Sequence, residues 1–253
     1  MFSGTVNNYN LSLDRIKSFV WQHVLLLFSL YLMTFGVVLC IKSCLGSSVI
    51  SSMPYVLSIA GSSGKAPEWT VGSYTILMNF VFVFCQILLL RRRFELVQLF
   101  QLLIGFVFGW LIDLNMLILD FLACDALLSK IIVQFLGCTV MGIGIMFEVR
   151  CGSVTMPGEG ITIAVSQVMG RPFAKVKIVI DTLFVALAVA AGYIFFGEWM
   201  WNVVGPGTLF AMFYVGYVVK ILGPHIGWFD RLVAAKIGAW RYVVGLARFI
   251  FRN

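Results

Sequence analysis

Val71-Gly72-Ser73-Tyr74-Thr75-Ile76-Leu77-Met78-Asn79-Phe80-Val81-Phe82-Val83-Phe84-Cys85-Gln86-Ile87-Leu88-Leu89-Leu90-Arg91-Arg92-Arg93 holds twenty residues without a formal charge, then three arginines in a row. At about 1.5 Å per residue such a run matches the roughly 30 Å hydrocarbon core of a bilayer. The rest of the chain repeats the pattern. Of its 253 residues 61% are hydrophobic and 11% charged, with mean hydropathy +1.00; soluble domains carry about 45–50% apolar and about 25% charged residues. There is too little polar surface to coat a globule, which excludes an ordinary soluble enzyme, a disordered chain and a disulfide scaffold. The net charge of +7 comes from 18 basic residues scattered among apolar runs, so it forms no nucleic-acid face.

Six apolar segments have spanning length: His23–Ile41, Val71–Leu90, Leu96–Leu119, Lys130–Val149, Val176–Phe196 and Val203–Leu222. About twenty mostly polar residues precede the first, and no Ala-x-Ala-type site follows it, so it reads as a span and not a cleaved leader. Two stretches rich in Ser, Gly, Pro and Thr, Gly46–Ala60 and Gly152–Gly170, are too short or too polar to cross. If neither crosses and the N-terminus is cytoplasmic, fifteen of the 18 Lys and Arg fall inside, Arg91–Arg93, Arg150 and Lys175 among them; only Lys42, Lys65 and Lys130 fall outside. That obeys the positive-inside rule, whereas a crossing by both stretches would put Arg91–Arg93 and Arg150 outside. Both termini are then expected on the cytoplasmic side.

The chain divides into an N-terminal segment (1–22), a first membrane half (23–119), an outer loop (120–129), a second half (130–223) and a C-terminal segment (224–253). Phe35-Gly36-Val37-Val38-Leu39 aligns with Ile143-Gly144-Ile145-Met146-Phe147, Gly46-Ser47 with Gly152-Ser153, and Asn79 with Asp181. Each half reads span, polar stretch, span, span; three crossings per half make the halves upside down relative to each other. The expected fold is an all-α polytopic membrane protein of six transmembrane helices in two inverted three-helix halves, each with a short re-entrant or broken-helix stretch. Secondary transporters recurrently use this plan, with sites at the repeat interface.

Leu45-Gly46-Ser47-Ser48-Val49-Ile50-Ser51-Ser52-Met53-Pro54-Tyr55, Gln86-Ile87-Leu88-Leu89-Leu90-Arg91-Arg92, Thr155-Met156-Pro157-Gly158-Glu159-Gly160 and Val176-Lys177-Ile178-Val179-Ile180-Asp181 resemble the YczE/YitT-type bacterial integral membrane proteins. The resemblance runs from about Leu25 to about Gly223. It implies a bacterial inner-membrane protein and transfers no activity or catalytic residue.

Irregular backbone at membrane depth is tolerated only inside protein or beside water. Thr155-Met156-Pro157-Gly158-Glu159-Gly160 is the least lipid-compatible run. A short helix over Ile161–Val168 would aim its N-terminal dipole at Thr155, Pro157 and Glu159, a setting for an anion or polar headgroup; the plainer alternative is a cytoplasmic loop with Glu159 as helix cap. Ser51, Ser52 and Pro54 are the counterpart from the outer face. Asp113 stands roughly 9 Å inside the third span and Asp181 roughly 8 Å inside the fifth, positions where ionisable groups default to functional hypotheses. Lys177, one turn before Asp181, is a structural partner for it, and Asp113 can instead reach the outer interface. Asn79 and Gln86 either face a cavity or bond a neighbouring helix. Glu148 with Arg150 reads as an interface anchor. Six cysteines without a Cys-x-x-Cys, and two histidines, give no metal or redox framework; no Walker A loop, Gly-x-Ser-x-Gly elbow or His-Glu-x-x-His pair occurs. No cofactor is implied.

Beyond Pro224, Phe229, Val233, Ile237, Trp240, Val244 and Phe251 fall on one arc of roughly 80° of a helical wheel. Arg241, Arg248 and Arg252 take the adjoining flank. This reads as an amphipathic helix in the inner interface, its cations near anionic lipid headgroups. The expected function is a small-solute transporter or facilitator whose pathway draws on Ser51, Ser52, Pro54, Asn79, Asp113, Thr155, Pro157, Glu159 and Asp181. The rival readings are a non-transporting accessory protein of a biosynthetic or secretion complex and, third, a membrane-embedded enzyme. Its partners are the bilayer and a small solute, and no oligomeric state follows from the sequence.

Overall fold

The computed structural model describes residues 3–151 and 155–229. Among these the chain is all-helical: α1 (Ser3–Lys42), α2 (Val49–Ser62), α3 (Val71–Leu90), α4 (Phe100–Ile118), α5 (Leu127–Cys151), α6 (Pro157–Met169), α7 (Phe173–Phe196) and α8 (Pro206–Leu222), with short 3₁₀ turns at Arg91–Arg93, Leu96–Leu99 and Gly223–His225. Six segments are long and apolar enough to cross a bilayer: Trp21–Lys42, Val71–Leu90, Leu96–Ile118, Leu127–Cys151, Phe173–Phe196 and Pro206–His225. The protein is an integral, multi-pass membrane protein. Its helix walls carry large exposed apolar side chains, such as Phe84, Leu103, Ile178 and Phe213, suited to lipid and not to water.

The spine is the α1–α5 crossing. Gly36, Gly137 and Gly144 let the two backbones touch: a Cβ built on Gly36 would stand 2.6 Å from the Gly137 carbonyl oxygen. Around this crossing Leu30, Val38, Ile112, Met146 and Phe147 form the main core, shared with α4. Buried Asn115 of α4 donates to the Thr34 hydroxyl of α1 at 2.9 Å.

The remaining helices pack reciprocally. α4 lies on α1 as α8 lies on α5; α2 lies along α7 and α3, while α6 lies along α3 and α7; α2 touches α8, and α6 touches α4. The reciprocity fails once, for α3 and α4 pack closely while α7 and α8 scarcely meet.

The span read from His23 agrees with Trp21–Lys42, and its helix continues back to Ser3. α6 begins at Pro157 and not near Ile161; a proline at the first helical position lacks only an N–H that had no partner there. Ser51, Ser52 and Pro54 lie within helix α2, in keeping with a short broken-helix stretch. The amphipathic C-terminal arc lies outside the described residues except for Phe229, which is buried and stacks on Phe147 at 4.3 Å.

Candidate functional site

α2 and α6 have 14 and 13 residues, about 20 Å each at 1.5 Å per residue, too short to cross. Their N-terminal turns meet. Ile50 of α2 is the nearest neighbour of Gly158 in α6, 3.2 Å from the position a Cβ would take there. Val49 and Ile161 share an apolar cluster with Phe82 and Phe184. Each of those rings is the twelfth residue of its helix, α3 or α7, and they stack at 4.9 Å. The two short helices therefore start at mid-bundle. α2 leaves toward the end where α1 stops and α3 starts; α6 leaves toward the end where α5 stops and α7 starts.

Side chains of other helices serve the backbone at the start of each short helix. Before α2, Gly46 adopts φ +125° against the start of α8, where a Cβ would lie 2.5 Å from Thr208 Oγ1. Gly207 N–H donates to the Leu45 carbonyl at 2.8 Å and Ser47 N–H to the Val203 carbonyl at 2.9 Å. Gln134 of α5 accepts from the Ser43 hydroxyl at 2.7 Å and donates to the Gly207 carbonyl at 2.9 Å. The Ser47 hydroxyl donates to Ser52 Oγ at 3.1 Å, Ser48 and Ser51 share a bond of 2.7 Å, and the Ser52 hydroxyl returns to the Ser48 carbonyl at 2.9 Å. Buried Pro54 of α2 lacks the N–H that Ile50 O would take in a regular helix.

Before α6, a carboxylate takes the equivalent place. Met156 N–H donates to Glu148 Oε1 of α5 at 3.0 Å. Glu148 is only 4% exposed, and its Oε2 has no hydrogen-bond partner among the described residues. Gln86 of α3 donates to the Pro157 carbonyl at 3.2 Å and to Gln101 of α4 at 3.0 Å. Glu159, one residue pair into α6 and partly exposed, lies within electrostatic reach of Glu148, Lys177 and Asp181. Lys177 and Asp181 of α7 form an ion pair of 2.6 Å. Three carboxylates, one lysine and two glutamines thus surround the first turn of α6. Thr155 and Pro157 sit at its entrance, with Pro157 buried.

The other sequence candidates lie apart. Asp113 of α4 caps α3: its Oδ2 accepts from the Thr70 hydroxyl at 2.6 Å and its Oδ1 from Gly72 N–H at 2.8 Å. Thr70 itself accepts from Ser73 N–H at 3.0 Å. Asn79 is buried in the α3–α4 seam and donates to the Gly105 carbonyl at 3.3 Å. Sequence reasoning did not select Gln101 or Gln134, and it assigned Glu148 to the interface. The signal available for all three was a strongly polar residue isolated inside an apolar run.

No group of three or more His, Cys, Asp and Glu arranged to hold a metal occurs among the described residues. The six cysteines are free thiols. A wide-open apolar groove runs over Leu209, Phe210, Phe213, Tyr214 and Tyr217 on the outer wall of α8, away from the α2–α6 junction.

"Uncharacterized protein YyaS" of Bacillus subtilis (strain 168) is 26% identical over 196 residues, which cover 77% of this chain and 89% of that protein. No solved structure matches the chain. The family described as "Family of unknown function (DUF6198)" matches residues 20–224, a stretch that takes in both short helices and every polar group around them. The chain belongs to that family.

Proposed function

We propose that the protein is a secondary transporter or facilitator for a small solute in a bacterial inner membrane, that it performs no covalent chemistry, and that its two halves form an inverted repeat. The observation that carries the reading is the meeting of the α2 and α6 N-terminal turns at Ile50 and Gly158. Two helices that begin at mid-bundle and leave toward opposite ends place positive dipole ends and non-helical backbone where a solute would pass between faces. The reciprocal helix pairing supports the repeat. So does the twelfth-residue pair Phe82 and Phe184, stacked where such an axis would run. Phe82, Phe184, Val49 and Ile161 would then be the closed gate, and the Glu148, Glu159 and Asp181 group the polar vestibule on the Arg91–Arg93 side. The YczE/YitT resemblance accords with this placement and adds no substrate.

The filled centre favours a second reading, a non-transporting accessory protein. Asn79 and Asp113 bond within the α3–α4 pair and the serines bond among themselves, so these polar groups are engaged in holding helices together. A flux screen with purified protein in liposomes separates the two. Solute movement that stops on Gly158→Phe, with the protein still folded, supports transport; absence of flux across amino acids, sugars, organic acids and inorganic ions favours the accessory role. Sidedness is checked by single cysteines at Ala174, Glu95 and Ser63 in a cysteine-free background. Ser63→Cys is expected to react with impermeant thiol reagents in intact cells. Ala174→Cys and Glu95→Cys are expected to react only after lysis, and labelling of either from outside would reverse the assignment.

A further inference from the structure

We infer that Glu148 and Glu159 form a proton-binding pair at the break between α5 and α6, with partly exposed Glu159 as the entry and buried Glu148 as the store. This rests on the transporter reading and names its coupling ion. Glu148 is 4% exposed, one oxygen holds Met156 N–H at 3.0 Å, and the other is buried with no hydrogen-bond partner among the described residues. An ionised carboxylate so placed leaves an uncompensated charge in low dielectric, and a proton on the unbonded oxygen removes it.

The surrounding groups offer no better solution. From α7, Lys177 is already bonded to Asp181 at 2.6 Å, so that pair is internally neutral. From α6 the facing group is Glu159, a second carboxylate and thus a repulsive neighbour. On α5 itself Arg150 donates to the Gly223 carbonyl, and Cys151 approaches Ser29 of α1 at 3.8 Å. α1 also carries His23, and α8 carries exposed Lys220. Two carboxylates within reach of each other titrate as a pair, one proton favouring the ionised form of its neighbour.

The geometry ties the proton to the backbone. Glu159 N–H bonds the Met156 carbonyl at 3.0 Å, while Met156 N–H bonds Glu148. One residue therefore links the buried carboxyl to the turn that carries the partly exposed one. Proton transfer from Glu159 to Glu148 breaks one O–H bond and forms another, with no other reactant. It changes the charge on the acceptor of Met156 N–H, hence the hold on the first turn of α6, which abuts Ile50 and the Phe82–Phe184 stack.

The test is an infrared titration of the full chain in lipid nanodiscs, following the C=O stretch of protonated carboxyls, for wild type, Glu148→Gln and Glu159→Gln. Size-exclusion profiles and circular dichroism check folding. Glu148→Gln is expected to remove one titrating buried carboxyl. Glu159→Gln, at a less buried position, is expected to keep that band and to move its midpoint by about one pH unit or more, as coupled sites require. Unchanged carboxyl intensity in Glu148→Gln, or an unmoved midpoint in Glu159→Gln, overturns the proposal. Should Glu148→Gln not fold, the Glu159→Gln midpoint alone decides. The readout needs no solute: a coupled pair in a protein without flux refutes transport alone, and flux without a coupled pair refutes proton coupling alone.

Discussion

Gly36→Ala tests the spine of the fold. The added methyl would stand 2.6 Å from the Gly137 carbonyl oxygen, 2.6 Å from Met141 N and 2.8 Å from Met141 Cβ, against 3.4 Å for an ordinary contact. Two of these neighbours are backbone atoms, which no rotamer change can move. α1 and α5 would have to separate by about 0.8 Å, and a radial gap of 0.5–1 Å forfeits about a quarter to a half of each dispersion contact along the seam. Overpacking of a tight core costs about 1–3 kcal/mol, and a backbone collision belongs at the upper end. Alanine regains about 1 kcal/mol of helix propensity over glycine. The net expectation is a loss of about 2 kcal/mol, roughly thirtyfold in the folding equilibrium. Gly216→Ala on α8 is the control, since nothing lies within 4 Å of its added methyl; there propensity acts alone, for a gain of up to about 1 kcal/mol. Unfolding in bicelles with increasing sodium dodecyl sulfate, followed by tryptophan fluorescence, measures both. Gly36→Ala as stable as wild type, or more so, would refute the close α1–α5 crossing.

Asp113→Ala removes two hydrogen bonds that hold the start of α3 to α4 and is expected to cost about 2 kcal/mol in the same titration; Asp113→Asn, which keeps one acceptor, is expected to cost about half as much, and an alanine variant of wild-type stability would show that the carboxylate is not a cap. Asp181→Asn leaves Lys177 without its 2.6 Å partner, and the double variant Lys177→Gln, Asp181→Asn is expected to recover about 1–3 kcal/mol relative to the sum of the singles; strict additivity would show that the pair does not form in the membrane. Gly46→Ala, at φ +125° and against Thr208, is expected to destabilise by at least about 1 kcal/mol, with Gly64→Ala, at φ +70° in open space, as the comparison for conformational strain alone.

The spans were legible because a membrane helix is written in consecutive residues: Val71–Leu90 ends at Arg91 in the sequence and in the structure alike. The short helices were harder. In α2 the hydroxyls of Ser51 and Ser52 bond the Ser48 carbonyl, within the first turn, so residues too polar for a span satisfy helical backbone instead. α6 begins at Pro157 although its first periodic apolar residue is Ile161, since a proline fits the first helical turn. The long-range polar contacts had no local signature. Gln134 serves Ser43 across 91 residues, and Gln86 serves Pro157 across 71; each is an isolated amide in an apolar run, and nothing nearby says which broken backbone it will meet.

Asn79 and Asp181 show how packing sets the chemistry of a position. Both are the ninth residue of their helices, yet one is neutral and the other ionisable. The packing accounts for it. α3 is packed against α4, where the absence of a side chain at Gly105 makes room for Asn79, whose amide bonds the Gly105 carbonyl. α7 has no such neighbour, since α8 scarcely touches it, and Lys177 one turn earlier supplies the opposite charge. Three carboxylates therefore gather around the first turn of α6, where Glu148 and Glu159 add to Asp181. The corresponding break before α2 is served by Gln134 and the hydroxyls of Ser43, Ser47, Ser48, Ser51 and Ser52, none of which ionises in the physiological range. If the two breaks exchange roles as a solute crosses, the one before α6 is the one lined by carboxylates that can bind or release a proton as it does so. Proton binding at Glu148 would then act on one of the two end states and not on both, which is the differential interaction that coupling requires.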